Sequence, residues 1–152
     1  MKHYPTDRIK NLVLVGSAKS GKTTLAECMM YEGGVINRMG RVEAGNTVSD
    51  FHPIEVERQS SVYSSVLHTE WRDNKLNLID TPGLDDFIGQ VISALRVSDT
   101  ALVTLSAANG VEVGTEIVWR YLRRYHKPSV LVVNQMDHPK ADFEETIQQA
   151  QA

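Results

Sequence analysis

The stretch Ile9–Gly16, IKNLVLVG, runs without a break into Gly16–Thr23, GSAKSGKT. A short apolar run rich in Val, Leu and Ile and closed by glycine is the pattern of a strand buried in a parallel sheet. The following eight residues fit G-x-x-x-x-G-K-[ST], and Lys22 to Glu32 favours helix, with Gly33-Gly34 as a natural stop. Strand, glycine-rich loop and helix in that order form the context in which this spacing binds phosphate rather than merely turning the chain. Backbone amides along Gly16, Ser17, Ala18, Lys19, Ser20 and Gly21 are expected to cradle an anion at the positive end of the helix. Lys22 is expected to reach the β- and γ-phosphates and the Thr23 hydroxyl to ligate Mg²⁺, with Thr24 completing the binding segment.

Composition bounds the rest. The 152 residues suit one domain, and 41% hydrophobic with 23% charged residues is ordinary for a globular chain. A net charge of -3 excludes a basic surface overall, so any nucleic-acid contact has to be local. The single cysteine, Cys28, leaves no internal disulfide partner and fits a reducing compartment. MKHYPTDRIKN contains no secretory signal pattern, and no run approaches about 20 apolar residues. The expectation is a cytoplasmic monomer with no membrane contact.

Beyond Glu32, residues 34–61 show no sustained periodicity, which in a compact domain marks a functional or mobile segment. SVYSSVLHTEW and KLNLID (Ser61–Trp71 and Lys75–Asp80) read as an antiparallel pair joined by a tight turn at Arg72-Asp73-Asn74. Phe87 to Val97 reads as a helix with Ile88, Val91, Ile92 and Leu95 on one face. TALVTLSA is a further buried strand, Val113 to Tyr125 an amphipathic helix, SVLVVNQMD another strand and ADFEETIQQAQA the start of a last helix. Alternating strands and helices predict a mostly parallel α/β sheet with one antiparallel strand, and ligands at the strands' C-terminal ends.

Two more motifs close strands. DTPG, Asp80–Gly83, places a carboxylate where it can hold Mg²⁺ through water and a Gly83 amide where it can meet the γ-phosphate. NQMD, Asn134–Asp137, supplies a carboxylate able to accept from the N1-H and exocyclic amine of guanine, a donor pair that adenine lacks. Asn134 can add a contact to the base and brace the loop, and Gln135 is counted with Asn134 and Asp137 among the nucleotide-binding residues. The expected ligands are therefore GTP or GDP with Mg²⁺.

These motifs are similar to those of the translational GTPases. IDTPGLDDF, SALRVSD, GVEVGTEIVWR and NQMDHPKADF resemble elongation factor G at matching spacing. GRVEAG (Gly40–Gly45) and EVERQSSV (Glu55–Val62) resemble that family's first switch region. The resemblance implies a P-loop GTPase fold with helices on both faces of the sheet and a ribosomal partner. It also implies that residues 1–152 are the N-terminal part of a G domain, incomplete at the C-terminus and with an exposed sheet edge. The rest of the G domain and the ribosome-contacting domains are then expected to lie outside this chain.

Departures from the family cluster on one side of the reaction. Its second switch reads D-T-P-G-H-x-D-F, the histidine orienting the attacking water; here that position is Leu84, which has neither donor nor acceptor. Loss of such a group costs about 10²–10⁴ in rate. Lys19 replaces an aspartate that helps hold a cation, and its ammonium either approaches the phosphates or points to solvent. Gln59, Ser60 and Ser61 replace Gly, Ile and Thr; Ser61 keeps a hydroxyl able to ligate Mg²⁺ beside Thr23 and Asp80, whereas Ser60 removes apolar bulk. Ser17 replaces a histidine and Gln135 a lysine whose stem lies along the base. The expectation is a GTP-binding elongation factor promoting translocation with hydrolysis weak or absent and no catalytic side chain at Leu84. Two alternatives remain: an active ribosome-stimulated GTPase, and a non-translocating ribosome-binding protein for protection or recycling. The five histidines show no metal-ligand spacing. Cys28, Trp71 and Trp119 are read as packing residues, Arg58 as a solvated loop side chain, and Arg120, Arg123 and Arg124 as a charged helix face.

Overall fold

A computed structural model describes residues 2–151. Its core is one five-stranded sheet in the order β2-β3-β1-β4-β5. The strands are β1 (Ile9–Val15), β2 (Ser65–Trp71), β3 (Asn74–Asp80), β4 (Thr100–Ser106) and β5 (Ser129–Asn134). β1 pairs in parallel with β3 and β4, and β4 with β5; only β2 and β3 run antiparallel. The predicted mixed sheet is the one observed.

Side-chain alternation splits the sheet into two apolar faces. Val13, Val15, Ile79, Val103 and Leu105 pack against α3 (Ile88–Val97) and α4 (Val113–Arg124) through Val91, Leu95, Val118 and Leu122. Leu14, Leu67 and Leu78 face the other way, onto Ala26 and Met30 of α1 (Lys22–Glu32). Because consecutive residues of β1 serve opposite faces, its buried half, Leu12–Val15, has to be apolar on both, which is why the sequence there reads as a run. A last helix, α5 (Phe143–Gln151), sends Gln149 to the Val111 amide at 3.0 Å.

Several boundaries differ from the sequence reading; α3 begins at Ile88, not Phe87, β4 ends at Ser106, β5 ends at Asn134, before the rest of NQMD, and α5 begins at Phe143. β2 begins at Ser65, not Ser61, because the amides of Val62 and Tyr63 are captured by the Glu55 carboxylate, each at 3.0 Å. Asn74 belongs to β3, leaving a two-residue turn at Arg72 and Asp73 with φ of 45° and 61°, the twist that suits a hairpin. Tyr125 caps α4 instead of extending it. The patternless segment 34–61 holds a 3-10 turn at Val42–Ala44 and a six-residue helix, α2 (Pro53–Arg58), and is otherwise irregular. Trp71 and Trp119 are 51% and 40% exposed, which corrects their assignment as packing residues. Among the described residues no helix is long and apolar enough to cross a membrane.

Candidate functional site

The three motifs meet at the C-terminal edge of β1, β3 and β5. Gly16 has φ of 141°, and a Cβ there would collide with the Thr104 carbonyl oxygen on β4, so the loop can leave β1 only through glycine. The loop is then pinned from below: Ser20 Oγ bonds Thr104 Oγ1 at 2.6 Å, and Ser17 Oγ meets Thr115 Oγ1 of α4 at 2.9 Å. From β5, Asn134 Nδ2 donates to the Ser20 carbonyl at 3.1 Å and Gln135 Nε2 to the Lys19 carbonyl at 2.9 Å. Gln135 is itself held by Ser106 Oγ at 2.6 Å. Lys19 and Gln135 both adopt left-handed backbone, φ 61° and 60°. Two amides from the end of one strand thus fix consecutive carbonyls of the loop, whose Ala18, Lys19 and Gly21 border an open side.

That side is a cavity of about 420 Å³. Ala18, Lys19, Gly21, Lys22, Thr23 and Thr24 form its floor, Ser61, Gly83 and Gln135 contribute walls, and Val42, Glu43, Asp50, Arg58, Gln59 and Ser60 close it from the irregular segment. Arg58 is exposed, as its reading as a solvated side chain has it, and it also lines the cavity from the end of α2. Gly16, Ser17, Ser20, Asp80 and Asn134 brace the lining from behind, whereas Asp137 is exposed and lies outside it.

Lys22 is buried, with Nζ donating to the Gly16 and Ser17 carbonyls at 3.1 and 2.8 Å. Burial lowers its pKa to about 8, against the pull of Asp80. Gly83 presses onto the loop so closely that a Cβ on it would stand 2.5 Å from Lys22 Nζ and 2.7 Å from the Ala18 nitrogen. An ammonium short of carboxylate partners and surrounded by backbone dipoles is a site waiting for an anion.

Beside it sits a cluster of hard oxygens. Thr23 Oγ1 donates to Asp80 Oδ2 at 2.7 Å and shares a 3.3 Å bond with Ser61 Oγ. The Asp80 Oδ1 and Asp50 Oδ2 atoms are buried with no partner. Burial pushes the Asp80 carboxyl up to about 6 and raises that of Asp50. Hydroxyl and carboxylate oxygens with orphaned lone pairs are the donor set a Mg²⁺ ion prefers, so the residues present fit that ion.

The sequence reading missed the residues that hold the irregular segment in place. Glu27, on α1 and fully buried, accepts the amides of Gly40 at 2.7 Å and Val48 at 2.6 Å. Glu55, also fully buried, accepts those of Val62 and Tyr63, and of His52 at 3.3 Å. For Glu55 a signal was present: Pro53 and Glu55 stand at the first and third positions of a helix, a start signature. Leu84 is 38% exposed and lines a second cavity of about 500 Å³ with Ser17, Ala18, Gly83 and the start of α4.

Residues 7–152 match the model of the elongation factor Tu GTP binding domain. The chain is 41% identical over 142 residues to the mitochondrial ribosome-releasing factor 2 of Candida dubliniensis, covering 93% of this chain and 18% of that protein. It is 39% identical over 135 residues to elongation factor G 2 of Borreliella burgdorferi, covering 89% and 20% respectively. The chain thus spans about a fifth of the length of these curated relatives. A solved protein of Thermus thermophilus superposes with a TM-score of 0.91 at 38% identity, over 95% of this chain and 22% of that one. The elongation factor SelB of Methanococcus maripaludis, solved with a GTP analogue, shares the fold at a TM-score of 0.68 and 21% identity, over 93% and 25% of the two chains.

Proposed function

This chain belongs to the elongation factor Tu GTP binding domain family, and from that premise we propose that it is the nucleotide-binding part of a longer translation factor similar to elongation factor G. In this reading the factor binds the ribosome and promotes translocation with GTP as a ligand that it hydrolyses slowly or not at all. The phosphates lie on the loop Gly16–Thr24, with Lys22 as their cation. Asp137 and Asn134 select guanine, and Gln135 keeps the base loop and the phosphate loop in register. Thr23, Ser61 and Asp80 would hold Mg²⁺, with Asp50 beside them, and the ion would supply charge neutralisation at the phosphates.

One observation carries the reading. Leu84 borders a cavity that touches the phosphate loop at Ser17 and Ala18, and it brings no polar atom there. A water beside the γ-phosphate gains neither an acceptor for its proton nor a donor from this side chain. By contrast Gly16, Gly21, Lys22, Thr23, Asp80, Gly83, Asn134 and Asp137, on the phosphate and guanine side, are retained. GTP then acts through differential affinity for two conformations of the segment containing Ser61. The test is repeated translocation by the whole protein on ribosomes, with GTP or a non-hydrolysable analogue. Equal sustained rates are expected; a single round followed by arrest with the analogue would refute the reading.

The similarity to a ribosome-releasing factor, the relative at 41% identity, favours a second reading in which the whole protein splits or clears ribosomes rather than translocating them. Ribosome-splitting and translocation assays run in parallel separate the two.

A further inference from the structure

The charge of this acidic chain is unevenly spread. Arg120, Arg123 and Arg124 on α4 and Arg96 near the end of α3 are all exposed, and exposed His126 follows them. Among the described residues only Arg120 of this group makes an ion pair, a solvated one with Glu116 at 3.9 Å. Favourable placement at a helix C-terminus accounts for Arg123 and Arg124 but not for Arg120, one turn earlier. At about 100° per residue, the outward side of the last two turns of α4 runs Trp119, Arg123, Arg120, Arg124, Tyr121, with exposed Glu116 one turn before Arg120. Aromatic rings therefore flank three guanidinium groups. On the Tyr121 side the Arg96 guanidinium lies 5.8 Å from the Tyr125 ring centroid, and that ring stacks on Tyr121 at 6.4 Å and 18°. On the other side Trp119 is 40% exposed.

We propose that this face of α4, extended by Arg96, is a docking surface for the phosphate backbone of structured RNA. Guanidinium forks match phosphate oxygens bidentately, which a row of lysines would not. The exposed Trp119 ring beside them adds stacking surface for a base, a contact that an acidic polypeptide does not need, while half-buried Tyr121 and Tyr125 support the other flank. A net charge of -3 means that an RNA contact has to be concentrated in one place, and this face gathers four guanidinium groups. None of the four arginines lines either cavity beside the phosphate loop, so nucleotide and RNA binding are separable by mutation. The proposal rests on the translation-factor reading for its choice of probe.

The experiment measures binding of the whole protein to protein-free ribosomal RNA from about 50 to 200 mM salt. It compares the parent with the triple variant Arg120→Glu, Arg123→Glu, Arg124→Glu. We expect the variant's affinity to fall about 10- to 100-fold at the low-salt end and its log–log salt slope to become shallower by about two to three. Guanine-nucleotide affinity should be unchanged. An unaltered slope and affinity overturn the proposal, as does a variant that loses binding to polyglutamate while keeping RNA. If charge reversal also abolishes nucleotide binding, the fold is damaged. The corresponding triple Gln variant then decides, with a shallower slope expected and an unchanged slope refuting. A parent that does not sediment with ribosomes, yet loses RNA binding on substitution, refutes the ribosomal reading and leaves this surface standing.

Discussion

Glu55 is the hinge on which the segment containing Ser61 depends, and its removal should be measurable residue by residue. The carboxylate is fully buried and receives three backbone amides, from Val62 and Tyr63 at 3.0 Å and His52 at 3.3 Å. Glu55→Ala leaves all three without a partner. A buried donor so orphaned costs about 1–3 kcal/mol. Val62 is only 8% exposed and bears the full penalty, whereas Tyr63, at 47%, can recruit water for part of its loss. The local cost is therefore about 2–4 kcal/mol, which corresponds to hydrogen exchange about 30- to 1,000-fold faster at the Val62 and Tyr63 amides. Glu55→Gln keeps one acceptor oxygen and turns a donor toward the His52 amide, so it should fall between parent and alanine variant. Because Ser61 precedes Val62 directly, the alanine variant should also lose affinity for Mg²⁺·GTP more than for GDP. Exchange at Val62 and Tyr63 within about threefold of the parent would show that Glu55 does not hold this segment.

Titration of the site should appear as proton traffic. Asp80, held near 6, ionises in the fold later than in the unfolded chain, so its contribution favours the folded state at low pH and declines as pH rises from about 4 to 6, by about 3 kcal/mol. Mg²⁺·nucleotide binding needs the carboxylate and so should release about half a proton at pH 6, whereas at pH 8 Lys22 should take up about half a proton. Calorimetry in buffers of differing ionisation enthalpy reads both signs, and the same sign at both pH values would contradict the assignment. Gln135→Ala removes the strut between Ser106 and the Lys19 carbonyl and should speed GDP dissociation about 5- to 30-fold, measured by fluorescent-nucleotide release. Gly16→Ala sets a Cβ against the Thr104 carbonyl at a φ of 141° and should lower unfolding stability by more than about 2 kcal/mol in a denaturant titration.

The parts of this fold that can be read from sequence are those whose cause is local. β1, its loop and α1 follow one another in the chain, and a strand apolar on both faces announces itself. The Asp80 and Asn134 motifs are also legible, because each ends a strand at a fixed offset. Glu27 and Glu55 are not, since a carboxylate buried to receive backbone amides looks in sequence like any other acidic helix residue. Only the three-dimensional path of residues 40–63 reveals which amides need it. Asp50 stays hidden for the same reason: its place beside Thr23 and Asp80 depends on how the irregular segment folds back. The two tryptophans mislead because large aromatic rings are usually sequestered, and here the outer face of α4 and the end of β2 leave them open.

Leu84 stands where a water-orienting side chain would decide whether GTP is cut. GTP hydrolysis by the whole protein with ribosomes should be measured beside its Leu84→His variant, with nucleotide affinity determined for both. The account predicts a parent that binds GTP but turns it over little, and a histidine variant faster by about 10²–10⁴. A parent that hydrolyses GTP rapidly, with histidine adding nothing, would contradict it and require another side chain of this site to position the water.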